Sequence, residues 1–297
     1  MNLLVSIVIP NFNYAHFLGN AIQSVLDQSY TNWEILIIDN HSTDNSDEVV
    51  KGFNDARIKL LKIHNNGVIA ASRNKGILKA KGDWIAFLDS DDIWYPKKLE
   101  TLMNFSSQNK EFDVLSNNEL MINRKSESSK VLVHGPFENN FYEVLLLKGN
   151  RLSPSATLIK HSFLKEKKIL FNESVDYIAV EDYDLWLNLA FYKAKFMFID
   201  KVLGEFMVHF SNNSGQLLRQ RKNFETLLHD HVFKIQKFHS NPQKLWLKFT
   251  PMLNVIEIKQ LIADGHNGDA FKKIILSFFY CPIGMIKYVL LKLIKRF

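Results

Sequence analysis

Asp89-Ser90-Asp91-Asp92 follows directly on the apolar run Trp84-Ile85-Ala86-Phe87-Leu88. A buried strand thus ends in a cluster of carboxylates. Open α/β sheets bind ligands beyond the carboxyl ends of their strands, and crowded carboxylates repel one another unless a cation sits between them. A hard divalent metal with oxygen ligands, itself holding a substrate diphosphate, resolves that repulsion. Helix capping accounts for only one of the acids. Asp92 precedes Ile93-Trp94-Tyr95-Pro96 and a segment read as helical to Asn109, and is taken as its cap.

Outward from this point, strand and helix alternate. Leu3-Leu4-Val5-Ser6-Ile7-Val8-Ile9-Pro10 reads as a buried strand stopped by proline, and Ala15 to Asp27 has the spacing of an amphipathic helix. Trp33 to Ile38 is a second strand, running into the polar loop Asp39-Asn40-His41-Ser42-Thr43-Asp44, whose last residue is placed to cap a helix from Ser46 to Phe53. Ile58 to Ile63 is a third strand, followed by His64-Asn65-Asn66-Gly67 and a helix to Ala80. Short apolar strands alternating with helices are the pattern of parallel βαβ units, covered on both faces. The loops at Asn11 to Asn13, Asp39 to Asp44, Asn65 to Arg73 and Asp89 to Asp92 are therefore expected at one edge of the sheet. Arg73 lies early in its helix, where a cation and the helix N-terminus can both face phosphate; a surface arginine is the other reading. Gly67 and Gly76 are assigned to backbone geometry and close packing. Asn123 to Lys130 is read as a loop, mixed short strands and helices continue to about His209, and from Leu217 onward the patterns are helical.

These segments resemble glycosyltransferase family 2. Ser6 to Asn13, the Asp39 to Asp44 loop, Asn74-Lys75-Gly76, Asp89-Ser90-Asp91-Asp92 and Glu181-Asp182-Tyr183-Asp184-Leu185-Trp186 fall in the family's order, over roughly residues 3–215. The resemblance implies an α/β GT-A fold, a Rossmann-like mixed, mainly parallel sheet flanked by helices. It also implies a nucleotide-sugar donor, usually a UDP-sugar, a divalent metal (Mn²⁺ or Mg²⁺), and transfer of a hexosyl or N-acetylhexosaminyl group with inversion at the anomeric carbon. It assigns Pro10, Asn11, Asn13 and Asp39 to the donor nucleotide, with Asp39 accepting from the imide of uracil. Asn40 stands where many members carry a second aspartate, which removes a charge and keeps hydrogen bonding. In the DxD motif, Asp91 is expected on the metal, Asp89, with Ser90, on the donor ribose or the metal, and Asp92 either behind these ligands as a support or as the cap of the following helix. Asp182 is expected to be the general base and Glu181 to orient the acceptor or the base, against the plainer reading that these acids favour the positive end of a helix. His209 is matched to an added metal or diphosphate contact, with a structural histidine as the other reading, and Asn213 and Ser214 to a loop closing over the donor. Sugar selectivity is placed in the irregular middle region, residues 116–155.

Length and composition bound the rest. A chain of 297 residues with 46% hydrophobic and 23% charged residues is an ordinary globular composition, sized for one large domain and an appendage. Its single cysteine, Cys281, excludes an internal disulfide. Residues 1–215 are read as the catalytic domain and 216–297 as a helical C-terminal region. The net charge of +6 sits in the tail, residues 271–297, where Lys272, Lys273, Lys287, Lys292, Lys295 and Arg296 face no acid. A neutral body argues against nucleic acid as partner. The tail, broken by Pro282 and Gly284, is too short to span a bilayer and suits a helix lying in the membrane interface, or a helical pair packed on the catalytic domain. The opening run lacks a basic leader and cleavage site, so the expected location is the cytoplasm, at the inner face of the cytoplasmic membrane. The expected acceptor is a glycan on a polyprenyl diphosphate lipid, in O-antigen or capsule assembly. A sugar nucleotidyltransferase is disfavoured, since Pro10-Asn11-Phe12-Asn13-Tyr14 lacks the glycines and lysine of a phosphate loop. The non-enzymatic alternative is a catalytically silent nucleotide-sugar sensor or scaffold.

Overall fold

The computed structural model describes residues 3–124, 126–209 and 217–280. It divides into two compact units, Met1–Asn212 and Asn213–Phe297. The first begins with β1 (Val5–Asn11), α1 (Ala15–Leu26), β2 (Trp33–Asp39), α2 (Ser46–Lys51), β3 (Ile58–Lys62), α3 (Ile69–Lys79) and β4 (Trp84–Phe87). It continues with β5 (Ile93–Trp94), α4 (Lys98–Gln108), β6 (Val114–Asn123), β7 (Ser128–Leu132), α5 (Phe141–Lys148), β8 (Thr157–Lys160), α6 (His161–Lys167), α7 (Glu181–Phe191) and β9 (Phe196–Val208).

The strands form one mixed sheet in the order β3-β2-β1-β4-β8-β6-β9-β5, with β7 on β6. β3, β2, β1 and β4 are parallel; β8 then runs antiparallel to both β4 and β6. Because β2 and β4 flank β1, chain order reverses at β1, and a crevice opens there beyond the carboxyl ends of the strands. Every residue of β1 and of β2 is buried, as expected of strands covered on both faces. Ile7, Ile9, Ile35 and Ile37 share one apolar cluster with Leu18, Ile22 and Val25 of α1. Alternation turns Val8 to the opposite face, under α3. There Gly76 is required, since a Cβ on it would lie 2.3 Å from Val8 Cγ1.

Two elements depart from the expectation above. Ile93-Trp94 is not the start of a helix but a short strand paired with Gly204 and Glu205 of β9, and α4 begins only at Lys98. Pro96 disfavours helical backbone at the residue before it, and Trp94 is buried with its indole N–H donating to the Ser155 carbonyl. The polar stretch around residue 126 is the tip of a β6–β7 hairpin, not a plain loop; its side chains are polar because β7 is largely exposed.

The second unit contains α8 (Leu217–Asp230), α9 (Pro242–Trp246), α10 (Thr250–Ala263) and α11 (Asn267–Tyr280). Glu257 of α10 ties it together, accepting from Arg221 of α8 and Lys273 of α11, each at 2.8 Å. The expectations for Asn213, Ser214 and the tail beyond residue 280 lie outside the described residues.

Candidate active site

The carboxylate turn stands where its sequence position implies, just beyond β4. The Asp92 amide donates to the Asp89 carbonyl at 3.0 Å, closing the turn. Its acids face different ways. Asp89 is partly open; Asp91 is more enclosed, and its Oδ2 lies 2.9 Å from Nε2 of His209, the residue after β9. Burial and the adjacent Asp89 raise the Asp91 pKa above the usual carboxylate value, against a smaller opposing pull from His209. The His209 ring is itself buried against Phe17 and Tyr14, with ring centroids 4.7 and 5.7 Å away.

Asp92 is a structural latch and not a helix cap. It is buried, accepts from the Ser155 hydroxyl at 2.5 Å and from the Met207 amide at 2.9 Å, and so ties the turn to the segment before β8 and to β9. The same Ser155 oxygen accepts from the Asp89 amide at 3.1 Å. Burial, reinforced by the nearby carboxylates of Asp91, Glu119 and Asp89, pushes the Asp92 pKa well up. Behind it Lys98 is fully buried and donates to the Ser155 carbonyl and to Asn117 Oδ1; burial lowers its pKa to about 7 although Glu119 and Asp92 oppose this.

Arg73 joins the two acidic segments. One terminal nitrogen donates to Asp89 Oδ1 at 2.8 Å and the other to Glu181 Oε1 at 2.9 Å, at the start of α7. Burial opposes its charge, but Asp89, Glu181 and Asp182 outweigh this and hold the guanidinium firmly protonated. The arginine expected to face phosphate, or to be a surface residue, is thus buried, with both terminal nitrogens committed to carboxylates. Among the described residues Arg73 Nε and Glu181 Oε2 have no hydrogen-bond partner, although buried. Orphans of this kind are rare in folded proteins and concentrate where ligands or catalysis make demands. Asp182, half-buried in the first turn of α7, is raised to about 7 by burial and by Glu181, with Arg73 pulling the other way. Leu185, Trp186 and Leu189 anchor that helix in the core.

The residues assigned to the nucleotide gather at the paired ends of β1 and β2, where Asn11 stands opposite Asp39. Asp39 is completely buried. It accepts from Asn11 Nδ2 at 2.7 Å, from the Ser42 amide and hydroxyl at 2.9 and 2.5 Å, and from Lys62 Nζ at 2.8 Å. Its lone pairs are therefore occupied, and its carboxylate is not open to a base imide as the sequence reading had it. Burial favours the neutral acid, but these donors lower its pKa overall. Asn13 adopts positive φ, and its side-chain Oδ1 accepts from the Thr43 amide. Pro10 is buried within β1, and Ser90 within the turn. Asp44 does serve the start of α2, accepting from the Ser46 amide, and also takes the first amide of α1.

The family model for glycosyl transferase family 2 matches residues 6–156. The chain belongs to that family. Among family 2 relatives, it is 35% identical over 186 residues to the UDP-Glc:alpha-D-GlcNAc-diphosphoundecaprenol beta-1,3-glucosyltransferase WfgD of Escherichia coli, covering 63% of this chain and 69% of that one. Staphylococcus aureus TarS 1-349, solved with UDP-GlcNAc, superposes with a TM-score of 0.63 at 17% identity, over 90% of this chain and 75% of that one. The mannosyltransferase PcManGT of Pyrobaculum calidifontis, solved with GDP-Man and Mn²⁺, gives 0.61 at 16% identity, over 94% and 81%. These likenesses establish the GT-A fold.

Three residues of this family 2 site escaped the sequence reading. Lys62 was findable, because it ends β3 in register with Asp39. Ser155 and Lys98 carried no local signal, since Ser155 reaches Asp92, and Lys98 reaches Ser155, across more than fifty residues of chain.

Proposed function

We propose that this protein is a metal-dependent, inverting glycosyltransferase that moves a hexosyl or N-acetylhexosaminyl group from a UDP-sugar to a hydroxyl of a glycan carried on a polyprenyl diphosphate, in surface-polysaccharide assembly. The observation that carries this reading is the Arg73 bridge, which holds the DxD turn and the Glu181-Asp182 segment in one site. Residues 1–215 form the catalytic domain. The relative whose name specifies a diphosphoundecaprenol acceptor supports the choice of acceptor.

A divalent cation, Mn²⁺ or Mg²⁺, fits the donor set, and Asp91 with His209 would hold it. Among the described residues no cluster of three or more His, Cys, Asp or Glu forms a protein-only metal site. Such ions commonly take one or two protein ligands and leave the rest to substrate phosphates and water. Burial and the neighbouring Asp89 carboxylate disfavour the charge on Asp91, and a cation beside the two acids would relieve that repulsion. When bound, the cation would neutralise charge on the departing diphosphate.

The protein's own groups do the rest. Asp182 takes the proton of the acceptor hydroxyl as that oxygen bonds to the anomeric carbon. The bond from that carbon to the diphosphate breaks with its electron pair leaving on the diphosphate, and the configuration inverts. Glu181 and Asp89 are held by Arg73, which fixes the spacing of base and donor. Asp39 supports the nucleotide loops from beneath through Ser42 and Asn11, with Pro10 and Asn13 flanking the base.

Among the described residues no helix is long and apolar enough to cross a membrane. In α11, Phe271 and Phe279 are 65% and 77% exposed, and the exposed Lys272 stands next to Phe271 and two helical turns before Phe279. That pattern favours a helix lying on an anionic membrane surface, and we place the protein at the inner face of the cytoplasmic membrane. Asp182→Asn tests catalysis against the sensor reading. Product formation should fall ~10²- to 10⁴-fold with donor binding kept, whereas equal turnover by variant and wild type would sink the assignment.

A further inference from the structure

The carboxyl end of β4 carries the candidate active site; its other end opens on a separate cavity of about 640 Å³. Lys81, Lys110, Lys160 and Lys165 line this cavity from four segments: the loop before β4, the turn after α4, the last residue of β8 and α6. Trp84, the first residue of β4, lines it as an apolar wall, with Lys160 Nζ 5.8 Å from the ring centroid. The one acid in the lining is Asp83, whose Oδ2 accepts from the Leu4 amide.

The charges here are not balanced internally. Lys160 donates to the Lys110 carbonyl at 2.8 Å and lies 3.6 Å from Asp113, but among the described residues Lys81, Lys110 and Lys165 pair with no carboxylate. Convergent lysines in a concave site of small-molecule size attract and hold an anion, and the ammonium group is a common partner of phosphate. We propose that this cavity binds a phosphate-bearing polyanion, at a site separate from that of the sugar donor. Five residue steps along the strand set it about 17 Å from the DxD turn. Its chemistry is also the reverse of the donor site, with lysines in place of carboxylates. Binding therefore needs no metal.

Inorganic pyrophosphate in the presence of EDTA is the probe, titrated calorimetrically into the full chain. Wild type and Asp91→Ala should bind it alike, while Lys110→Ala/Lys165→Ala should bind at least about tenfold more weakly. Lys110→Arg/Lys165→Arg should retain binding, which separates loss of charge from loss of fold. Displacement of pyrophosphate by phosphatidylcholine vesicles containing phosphatidylglycerol, but not by pure phosphatidylcholine, assigns the site to a lipid headgroup; binding undisturbed by either assigns it to a free phosphorylated compound. The proposal is overturned if the double alanine variant binds pyrophosphate as tightly as wild type, or if wild type does not bind it without metal. Neither result bears on the donor site, whose metal-dependent nucleotide binding is read separately.

Discussion

In the proposed mechanism Asp182 is the general base, and its surroundings set the pH at which it would act. Burial and the Glu181 carboxylate raise it to about 7, while Arg73 works in the opposite direction and Asp89 adds a smaller upward push. A base must be ionised to accept a proton, so kcat/KM, which reports the free protein, should rise with pH through about 7 and then level. Replacing Glu181 by Gln removes the adjacent negative charge and frees Arg73 from one carboxylate; both changes favour ionised Asp182, and the rising limb should move to lower pH. A pH–rate profile of Glu181→Gln that superposes on wild type would contradict this. Stability carries the opposite sign. An acid whose folded pKa lies above its unfolded value of 3.8 stabilises the fold only while protonated, so this contribution is lost as pH rises from about 4 to about 7. Asp182→Asn has no such loss, and at pH 8 its thermal unfolding midpoint should exceed that of wild type by a few degrees.

At the scale of elements, the site depends on how closely α3 lies on β1. Gly76→Ala would drive a Cβ into Val8, displacing the helix that carries Arg73. Overpacking of this kind costs about 1–3 kcal/mol, to be read by denaturant unfolding, and activity should fall further because the Arg73 bridge shifts with the helix. Val8→Ala in the same chain should recover much of both losses by opening the space. The parallel βα units were legible because each strand is a short apolar run ending in polar residues, a pattern that local sequence carries in full. The start of α4 was only half legible: Pro96 argues locally against helix at the residue before it, but the burial of Trp94 and its hydrogen bond to Ser155 come from a distant segment. Asp92 misled for the same reason: an aspartate before an apolar run looks like a cap, and only the fold brings Ser155 and Met207 to it. Asp39 was located on the right loop, but its enclosure depends on Lys62 from a third strand.

At the scale of the whole molecule, the GT-A unit is followed in the chain by a helical unit whose α11 bears exposed aromatic residues and the exposed Lys272. Phe271→Glu/Phe279→Glu should weaken sedimentation with anionic vesicles while leaving transfer to a water-soluble acceptor near the wild-type rate; unchanged sedimentation would remove α11 from the membrane reading. The central claim is that the DxD turn binds a nucleotide-sugar donor through a metal held at Asp91. It is tested most directly by calorimetric titration of UDP with and without Mn²⁺, on wild type and on Asp91→Ala, since no knowledge of the acceptor is needed. The account predicts tight binding only when Mn²⁺ and Asp91 are both present; binding of equal strength without the metal, or by Asp91→Ala, would contradict it.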